Sequence, residues 1–141
     1  MNKGLFTSNT GEWVTPQELF DELNEEFNFD LDVCATKENA KCKKYYTKQQ
    51  DGLNRKWSYR NWMNPPYGRE ISKWVKKAYE EASGENNNIT VALLPARTDT
   101  KWFHNYIYDR EFVQIRFLKG RLKFSNSKNS APFPSMIVIF K

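Results

Sequence analysis

The sequence predicts an α/β fold in which helices pack on a mostly parallel β-sheet. Residues 89–94 form an apolar run that is typical of a central strand covered on both faces. Amphipathic helical patterns over 16–27 and 71–83 lie between predicted strands, as expected where helices connect the strands of one sheet. The chain of 141 residues has space for one small domain, and no repeat or linker divides it.

The first helix has a predicted start as well as a predicted face. Thr15 is suited to the N-cap, Pro16 to the first helical position, and Glu18 to closing a capping box. The helix over 16–27 has acids on one face and an apolar stripe on the other. The stripe consists of Leu19, Phe20, Leu23 and Phe27.

Strands are predicted where apolar residues alternate with polar ones or form continuous runs. The first strand ends near Cys34, where alternation with acids gives way to small residues. A second, short and aromatic, leads up to Asn64. The remaining predicted strands are 89–94, 112–118, 121–124 and 136–140, of which the last is expected to tuck into the sheet.

Composition narrows the class of partner and the compartment. The chain has 22 Lys+Arg against 17 Asp+Glu, a net charge of +5 and a pI near 9.2, which favours a polyanionic partner. It contains neither a long apolar run nor a charged-then-apolar leader, so we expect an intracellular protein with no membrane span. Cys34 and Cys42 are predicted to be reduced structural thiols, since with one histidine they cannot complete an ordinary zinc site.

The stretch Asn64, Pro65, Pro66 and Tyr67 follows a predicted strand, at the edge where open α/β sheets bind ligands. A planar amide or amino nitrogen is a poor nucleophile because its lone pair is delocalised, and acceptors that hold its N–H hydrogens help to localise that pair. Asn64 Oδ1 and the Pro65 carbonyl are suited to this, because paired prolines stiffen the loop and remove its donors. Tyr67 offers a flat face for a base. The alternative is a proline-stiffened turn whose aromatic packs inward.

Other polar residues are expected at the same edge of the sheet. Asp32, near the end of the first strand, is suited to an ammonium group or ribose hydroxyls, but the spacing fits a solvated edge-strand acid equally well. Arg97 is suited to a phosphate or a carboxylate, and Asp99 to capping the helix that follows. Asp51 is expected to be held in place by a tight turn at Gly52.

Together these features make the chain resemble the DNA N6-adenine methyltransferases of phages and prophages over nearly its whole length. Asn64, Pro65, Pro66 and Tyr67 match the catalytic motif of amino-methyltransferases. The segments that carry the wider resemblance are 13–16, 31–35, 51–53, 64–68, 93–104, 120–124 and 131–135.

The resemblance implies a single-domain, Rossmann-like S-adenosylmethionine-dependent methyltransferase fold of reduced size, with an antiparallel strand near the C-terminus of a mostly parallel sheet. It implies methyl transfer from S-adenosylmethionine to the exocyclic amine of a flipped-out adenine, with no metal. The residues expected to contact the donor are Thr15, Pro16, Asp32, Cys34, Asp51 and Asn64. Those expected to contact DNA are Arg97, Lys119, Arg121 and Lys123.

One departure from the wider methyltransferase pattern concerns the loop after the first strand. Residues 34–37 contain no glycine, and no G-x-G occurs in the chain. We therefore expect the donor pocket to be formed differently, or the donor to be bound weakly. Two rival functions remain open: a methyltransferase for protein glutamine amides, which uses the same tetrapeptide, and a non-catalytic DNA-binding module with a degenerate donor site.

The predicted domain organisation is a polar N-terminal segment at 1–12 and a methyltransferase domain at 13–141. This leaves no space for a separate target-recognition domain, so either the loops at 36–56 and 119–134 read a short sequence or recognition is relaxed. Segment 36–56 is basic with interleaved tyrosines, which suits a path for nucleic acid, although a solvated loop is the commoner explanation. The resemblance implies a phage- or prophage-encoded enzyme in the cytoplasm of a bacterial host; the sequence does not predict an oligomeric state.

Overall fold

The computed structural model describes residues 12–141, in which a five-stranded sheet carries helices on both faces. The strands are β1 (Leu31–Asp32), β2 (Arg60–Met63), β3 (Ile89–Pro95), β4 (Val113–Phe117) and β5 (Ser135–Phe140). The helices are α1 (Gln17–Phe27), α2 (Ile71–Ser83) and α3 (Lys101–Tyr106). No helix in this part of the chain has the length and apolarity needed to cross a membrane. The prediction of a polar segment at 1–12 falls, except for Glu12, outside the described residues.

The strand directions confirm the predicted α/β fold with its mostly parallel sheet. The order in the sheet is β1-β2-β3-β5-β4. β1, β2 and β3 pair in parallel, and β5 runs antiparallel to both β3 and β4, so β4 points the same way as β3. The C-terminal strand is therefore inserted antiparallel between two strands of the common direction. The carboxyl ends of β1, β2 and β3 meet at one edge, which is where such sheets bind ligands.

Alternation along the strands divides the core into two halves, one on each face of the sheet. On β3, Ala92 and Leu94 pack under α2 and α3, whereas Val91 and Leu93 face α1 and the segment around Phe124. All four of these side chains are fully buried. The prediction of a central strand covered on both faces is thus confirmed.

The predicted helices are confirmed, but two of their predicted caps are wrong. Pro16 occupies the N-cap of α1 in an extended conformation, and no side chain caps that end. The Thr15 hydroxyl instead bonds a side chain from another part of the chain. At α3 the N-cap is Thr100, whose hydroxyl accepts from the Phe103 amide at 3.3 Å, and Asp99 is not the cap. Local spacing alone does not reveal that Thr15 has a partner in another part of the chain.

The predicted strand at 121–124 is also wrong, because this segment has no strand partner in the described structure. Within it, the Leu122 carbonyl accepts from the Ala131 amide of a loop at 2.8 Å, and the next residue, Ser125, donates its amide to the Val14 carbonyl at 3.0 Å. The predicted alternation of exposed and buried side chains survives, since Phe124 is fully buried and Lys123 is exposed. The segment is therefore a packed loop that covers one face of the sheet.

Gly52 is required for a close approach rather than for a special backbone angle. A Cβ atom at this position would lie 2.2 Å from the Val33 carbonyl oxygen and 3.1 Å from the Trp74 ring. The positive φ of this turn belongs to its neighbour, Asp51, at 58°. The Gly52 carbonyl also accepts from the Trp57 indole at 2.8 Å. The missing side chain thus lets the turn before β2 lie against the end of β1.

We expect Gly52→Ala to lower the free energy of unfolding by about 2 kcal/mol, because the new methyl group overlaps a backbone oxygen that cannot rotate away. Urea denaturation followed by tryptophan fluorescence measures this change. Gly120→Ala is the matched comparison, since its Cβ would meet no atom within 4 Å and its cost arises from a positive φ of 74° alone. Wild-type stability in Gly52→Ala would contradict the close approach.

Candidate active site

The carboxyl ends of β1 and β2 open into a cavity of about 630 Å³. This volume lies within the roughly 300–1,000 Å³ that is usual for small-molecule sites. Four separate parts of the chain supply most of its wall, at residues 12–15, 32–36, 51–53 and 64–67. The cavity therefore unites the tetrapeptide after β2 with residues that are distant in sequence.

Asn64 is held in the cavity wall by two hydrogen bonds from its amide nitrogen. Asn64 Nδ2 donates to the carbonyl of Trp13 and, at 2.9 Å, to the hydroxyl of Thr15. A carbonyl oxygen can only accept, so the bond to Trp13 assigns the nitrogen to this side of the amide. The oxygen of the side chain is thereby directed away from the anchoring segment.

Asn64 Oδ1 is buried and has no hydrogen-bond partner among the described residues. A buried, unpaired polar atom is unfavourable by about 1–3 kcal/mol and is uncommon in folded proteins. Asn64 lines the cavity, so a ligand that enters it and carries an N–H group can satisfy this acceptor. The sequence predicted that this atom is an acceptor for an amine, and its geometry is consistent with that role.

Tyr67 lies where the cavity wall meets the half of the core that contains Phe124 and Phe133. Its hydroxyl donates to the Leu93 carbonyl of β3 at 3.1 Å. The ring packs edge-on against Phe133 at 5.6 Å and Phe124 at 6.3 Å between centroids. It is half-buried and remains part of the cavity wall. Burial raises the pKa of the phenol, so the hydroxyl stays protonated and orients the ring rather than acting as a base.

Asp32 is buried at the end of β1, with 2% of its surface exposed, and it lines the cavity. The interpretation as a solvated edge-strand acid is therefore wrong. Burial raises the pKa of its carboxyl group to about 7, although the amide groups of Lys41 and Cys34 and the charge of Lys41 lower it. A carboxylate that is poorly solvated in this way is suited to a cationic ligand.

Side chains, and not glycines, shape the loop after β1. Asp32 Oδ1 accepts from the Cys34 amide at 3.3 Å, and Oδ2 accepts from the Lys41 amide at 3.0 Å. Thr36 and Asn39 cap each other's backbone amides, with distances of 2.7 and 3.1 Å. The glycine-rich loop that the sequence lacks is thus replaced by a loop held through its own polar side chains. Burial raises the pKa of the Cys34 thiol to about 12, which makes it unreactive.

The structure brings together most of the residues predicted to contact a donor. Besides Asn64 and Asp32, the cavity wall includes Thr15, Cys34 and Asp51. Pro16 occupies the N-cap of α1 and is not part of that wall. Asp51 Oδ2 accepts from Asn54 Nδ2 and is exposed at the cavity edge.

The residues at the cavity that were not predicted as site residues include three basic ones and several tryptophans. The basic residues are Lys41, Lys48 and Arg69, and the tryptophans are Trp13, Trp62 and Trp74. Trp13 lay within a motif that carried the resemblance, but only its contact with Asn64 reveals its role. Arg69 directly follows the tetrapeptide and Gly68, so its position beside the cavity could have been inferred from the loop.

The predicted DNA contacts lie outside the cavity. Lys119, Arg121 and Lys123 are exposed on the loop after β4. Arg97 is exposed in the loop after β3, and its guanidinium lies 5.7 Å from the Phe133 ring centroid. Since Phe133 also touches the ring of Tyr67, Arg97 belongs to the side of the molecule that carries the tetrapeptide.

A mostly parallel sheet with an antiparallel C-terminal strand, an acid at the end of β1 and an Asn-Pro-Pro-Tyr loop at the end of β2 meet around one cavity. These are the features that the resemblance to S-adenosylmethionine-dependent methyltransferases implies, and they place the chain in that class of fold. A profile of the family described as "DNA N-6-adenine-methyltransferase (Dam)" matches residues 5–141. The chain belongs to this family, which is the DNA N6-adenine methyltransferase family of phages that its sequence resembles.

Curated relatives come from phages and from a bacterium. The chain is 33% identical over 138 residues to a DNA N-6-adenine-methyltransferase of Haemophilus phage HP1, covering 92% of this chain and 78% of that protein. It is 40% identical over 94 residues to a protein of the same name from Escherichia phage T1, covering 64% of this chain but only 38% of that protein. A putative methyltransferase, YfdM, of Escherichia coli K12 is 38% identical over 64 residues, covering 40% of this chain and 70% of that protein.

Proposed function

We propose that this protein transfers a methyl group from S-adenosylmethionine to the N6 amine of an adenine in DNA. The observation that carries the proposal is Asn64 Oδ1, a buried acceptor that lines the cavity and has no partner in the described structure. An exocyclic amine supplies the N–H group that this oxygen needs. The family to which the chain belongs supports adenine in DNA as the source of that amine.

The chain's own residues act on the amine by positioning it. The target adenine leaves the duplex and enters the cavity, since its N6 is otherwise engaged in base pairing. Asn64 Oδ1 and the Pro65 carbonyl accept its two N–H hydrogens, and the stiff Pro65-Pro66 pair limits movement of both acceptors. The nitrogen lone pair is then directed at the methyl group. After transfer the surplus proton leaves to water, so no side chain is required as a base.

S-Adenosylmethionine, when bound, supplies an electrophilic methyl group on a sulfonium. Asp32 and Asp51 are proposed to hold its polar groups, because both line the cavity and Asp32 is a buried carboxylate suited to a cation. Thr15 lies in the same wall but has its hydroxyl engaged by Asn64. We therefore assign Thr15 to the support of Asn64.

We also propose residues 13–141 as the methyltransferase domain.

Tyr67 is proposed to stack on the extruded adenine. We expect Tyr67→Phe to reduce kcat only about two- to fivefold, because it keeps the ring and removes one hydrogen bond, to the Leu93 carbonyl. Steady-state methylation with tritiated donor measures the change, and Tyr67→Ala, which removes the stacking face, is the comparison. Equal activity in the two variants would contradict a stacking role.

The exposed basic loops are proposed to hold the DNA backbone. These loops lie outside the cavity: the loop after β3 carries Arg97, and the loop after β4 carries Lys119, Arg121 and Lys123. Phosphate contacts from such residues are sequence-independent and weaken with salt. We therefore assign these residues to affinity for DNA rather than to the choice of target base.

The direct test is to incubate the protein with labelled S-adenosylmethionine and unmodified DNA, digest the DNA to nucleosides, and identify the labelled product. N6-methyldeoxyadenosine is expected, and sequencing of the methylated sites distinguishes a short recognition sequence from relaxed recognition. Label on protein glutamine and none on DNA would replace this proposal with the glutamine alternative. Calorimetry that shows no binding of the donor would favour a non-catalytic module.

A further inference from the structure

The peptide that anchors Asn64 is itself held from the far end of the chain. The Val14 amide donates to Asn126 Oδ1 at 3.0 Å, and the Ser125 amide donates to the Val14 carbonyl at 3.0 Å. Asn126 Nδ2 also donates to the Glu12 carbonyl at 3.3 Å. Residues 112 positions apart in sequence are thus joined directly behind the proposed catalytic side chain.

The bonds to Asn64 and Asn126 lie at opposite ends of a single peptide group. The carbonyl of Trp13 and the amide of Val14 belong to the same planar unit. Its oxygen accepts from Asn64 Nδ2, and its N–H donates to Asn126 Oδ1. Rotation of this plane would break both bonds, and consecutive hydrogen bonds of this kind strengthen each other by polarisation.

We infer that Asn126 is a positioning residue for Asn64, a role that rests on the proposed methyl transfer and extends it. Asn126 is half-buried and is not part of the cavity wall, so it touches neither donor nor base. Its contribution is to fix the peptide that holds Asn64 Nδ2, and through it the direction of Oδ1. Thr15 remains as a second anchor for the amide, so loss of Asn126 impairs catalysis without abolishing it.

The inference predicts a specific pattern in three variants. Asn126→Ala removes the acceptor for the Val14 amide and should lower kcat about tenfold with an unchanged KM for DNA. Asn126→Asp keeps an acceptor oxygen for the Val14 amide and loses the long, exposed bond to the Glu12 carbonyl, where water can separate the two oxygens, so it should retain kcat within about twofold. Ser127→Ala is the matched control, because among residues 12–141 its hydroxyl bonds within its own loop, to the Asn129 carbonyl at 3.0 Å, and the variant should leave kcat unchanged.

A spectroscopic measurement separates positioning from general stability. In NMR of the unliganded protein, the side-chain amide protons of Asn64 should exchange slowly with solvent in wild type and Asn126→Asp, and faster in Asn126→Ala. The inference would be overturned if Asn126→Ala left both kcat and the exchange rate unchanged. It would also be overturned if Asn126→Asp were as impaired as Asn126→Ala. If Asn126→Ala does not fold, Asn126→Ser, whose hydroxyl is too short to reach Val14, takes its place with the same expected losses.

The kinetic and NMR measurements together also distinguish failure of this inference from failure of the proposed function. Absence of DNA methylation by the wild-type protein would refute the function, whereas the exchange of the Asn64 amide protons is measured without DNA or donor. Loss of methylation in Asn126→Ala without a change in that exchange would refute the positioning role alone.

Discussion

Asn64→Ala is expected to reduce the rate of adenine methylation about 10²–10³-fold while leaving the fold intact. The substitution removes the buried acceptor that the amine requires, and loss of one such preorganised group costs rates of this order. The unfolding free energy should change little, because an unpaired buried oxygen is removed together with the bonds to Trp13 and Thr15. Single-turnover methylation and urea denaturation measure the two effects.

Asn64→Asp separates the acceptor from its anchor. The aspartate keeps an oxygen toward the cavity, but it presents a second oxygen to the Trp13 carbonyl, which cannot donate. We therefore expect activity between those of wild type and Asn64→Ala. Wild-type activity in Asn64→Asp would show that the bond to Trp13 is unimportant, and wild-type activity in Asn64→Ala would remove the mechanism.

Asp32→Asn is expected to weaken binding of S-adenosylmethionine by about 10–100-fold. The substitution keeps the shape of the side chain and removes the buried negative charge proposed to hold a cationic group. It also replaces one of the two oxygens that accept from the Lys41 and Cys34 amides, so the loop after β1 should loosen. Isothermal calorimetry measures the affinity, and Glu38→Gln, an exposed acid outside the cavity wall, is the control.

The raised pKa of Asp32 gives this prediction a pH dependence with a definite sign. With a pKa of about 7 in the free protein, the carboxyl group must lose its proton to hold a cation, so donor affinity should rise roughly eightfold from about pH 6 to about pH 7.5. Asp32→Asn should abolish that rise. An affinity that is flat over this range in the wild-type protein would contradict the assignment of Asp32 to the donor.

The same shift affects the stability of the unliganded protein in the opposite direction. Between the unfolded pKa of about 4 and the native value of about 7, the folded state retains a proton that the unfolded state has lost. The contribution of Asp32 to stability therefore falls as pH rises through this window. Asp32→Asn should remove that part of the pH dependence of unfolding.

Some of the site could be predicted from the sequence because its signals are local. An apolar run followed by Asn64 and two prolines identifies a rigid loop at a strand end, and parallel strands bring such ends together. Asp32 was placed at the correct edge for the same reason. Its burial was not predicted, because the residues that cover it come from the loop up to Lys41.

Contacts between distant segments account for two of the errors. The spacing around Thr15 fits a helix cap, yet its hydroxyl bonds Asn64, 49 residues away. The alternation at 121–124 fits a strand, yet the same alternation serves a loop that packs Phe124 inward and bonds residues near Val14. A local pattern of hydrophobicity indicates which side chains are buried. It does not indicate which distant groups form hydrogen bonds with the segment.

By itself the sequence determined the α/β class, the helices, the central strands and the tetrapeptide, because these depend on periodicity and on the covalent stiffness of proline. Only the tertiary structure decided that Asn64 Oδ1 is left without a partner in the described chain while its nitrogen is doubly held. That outcome depends on where residues 13–15 and 124–126 meet. Hydrogen bonding between segments more than a hundred positions apart is set by the packing of the whole sheet, and no local pattern encodes it.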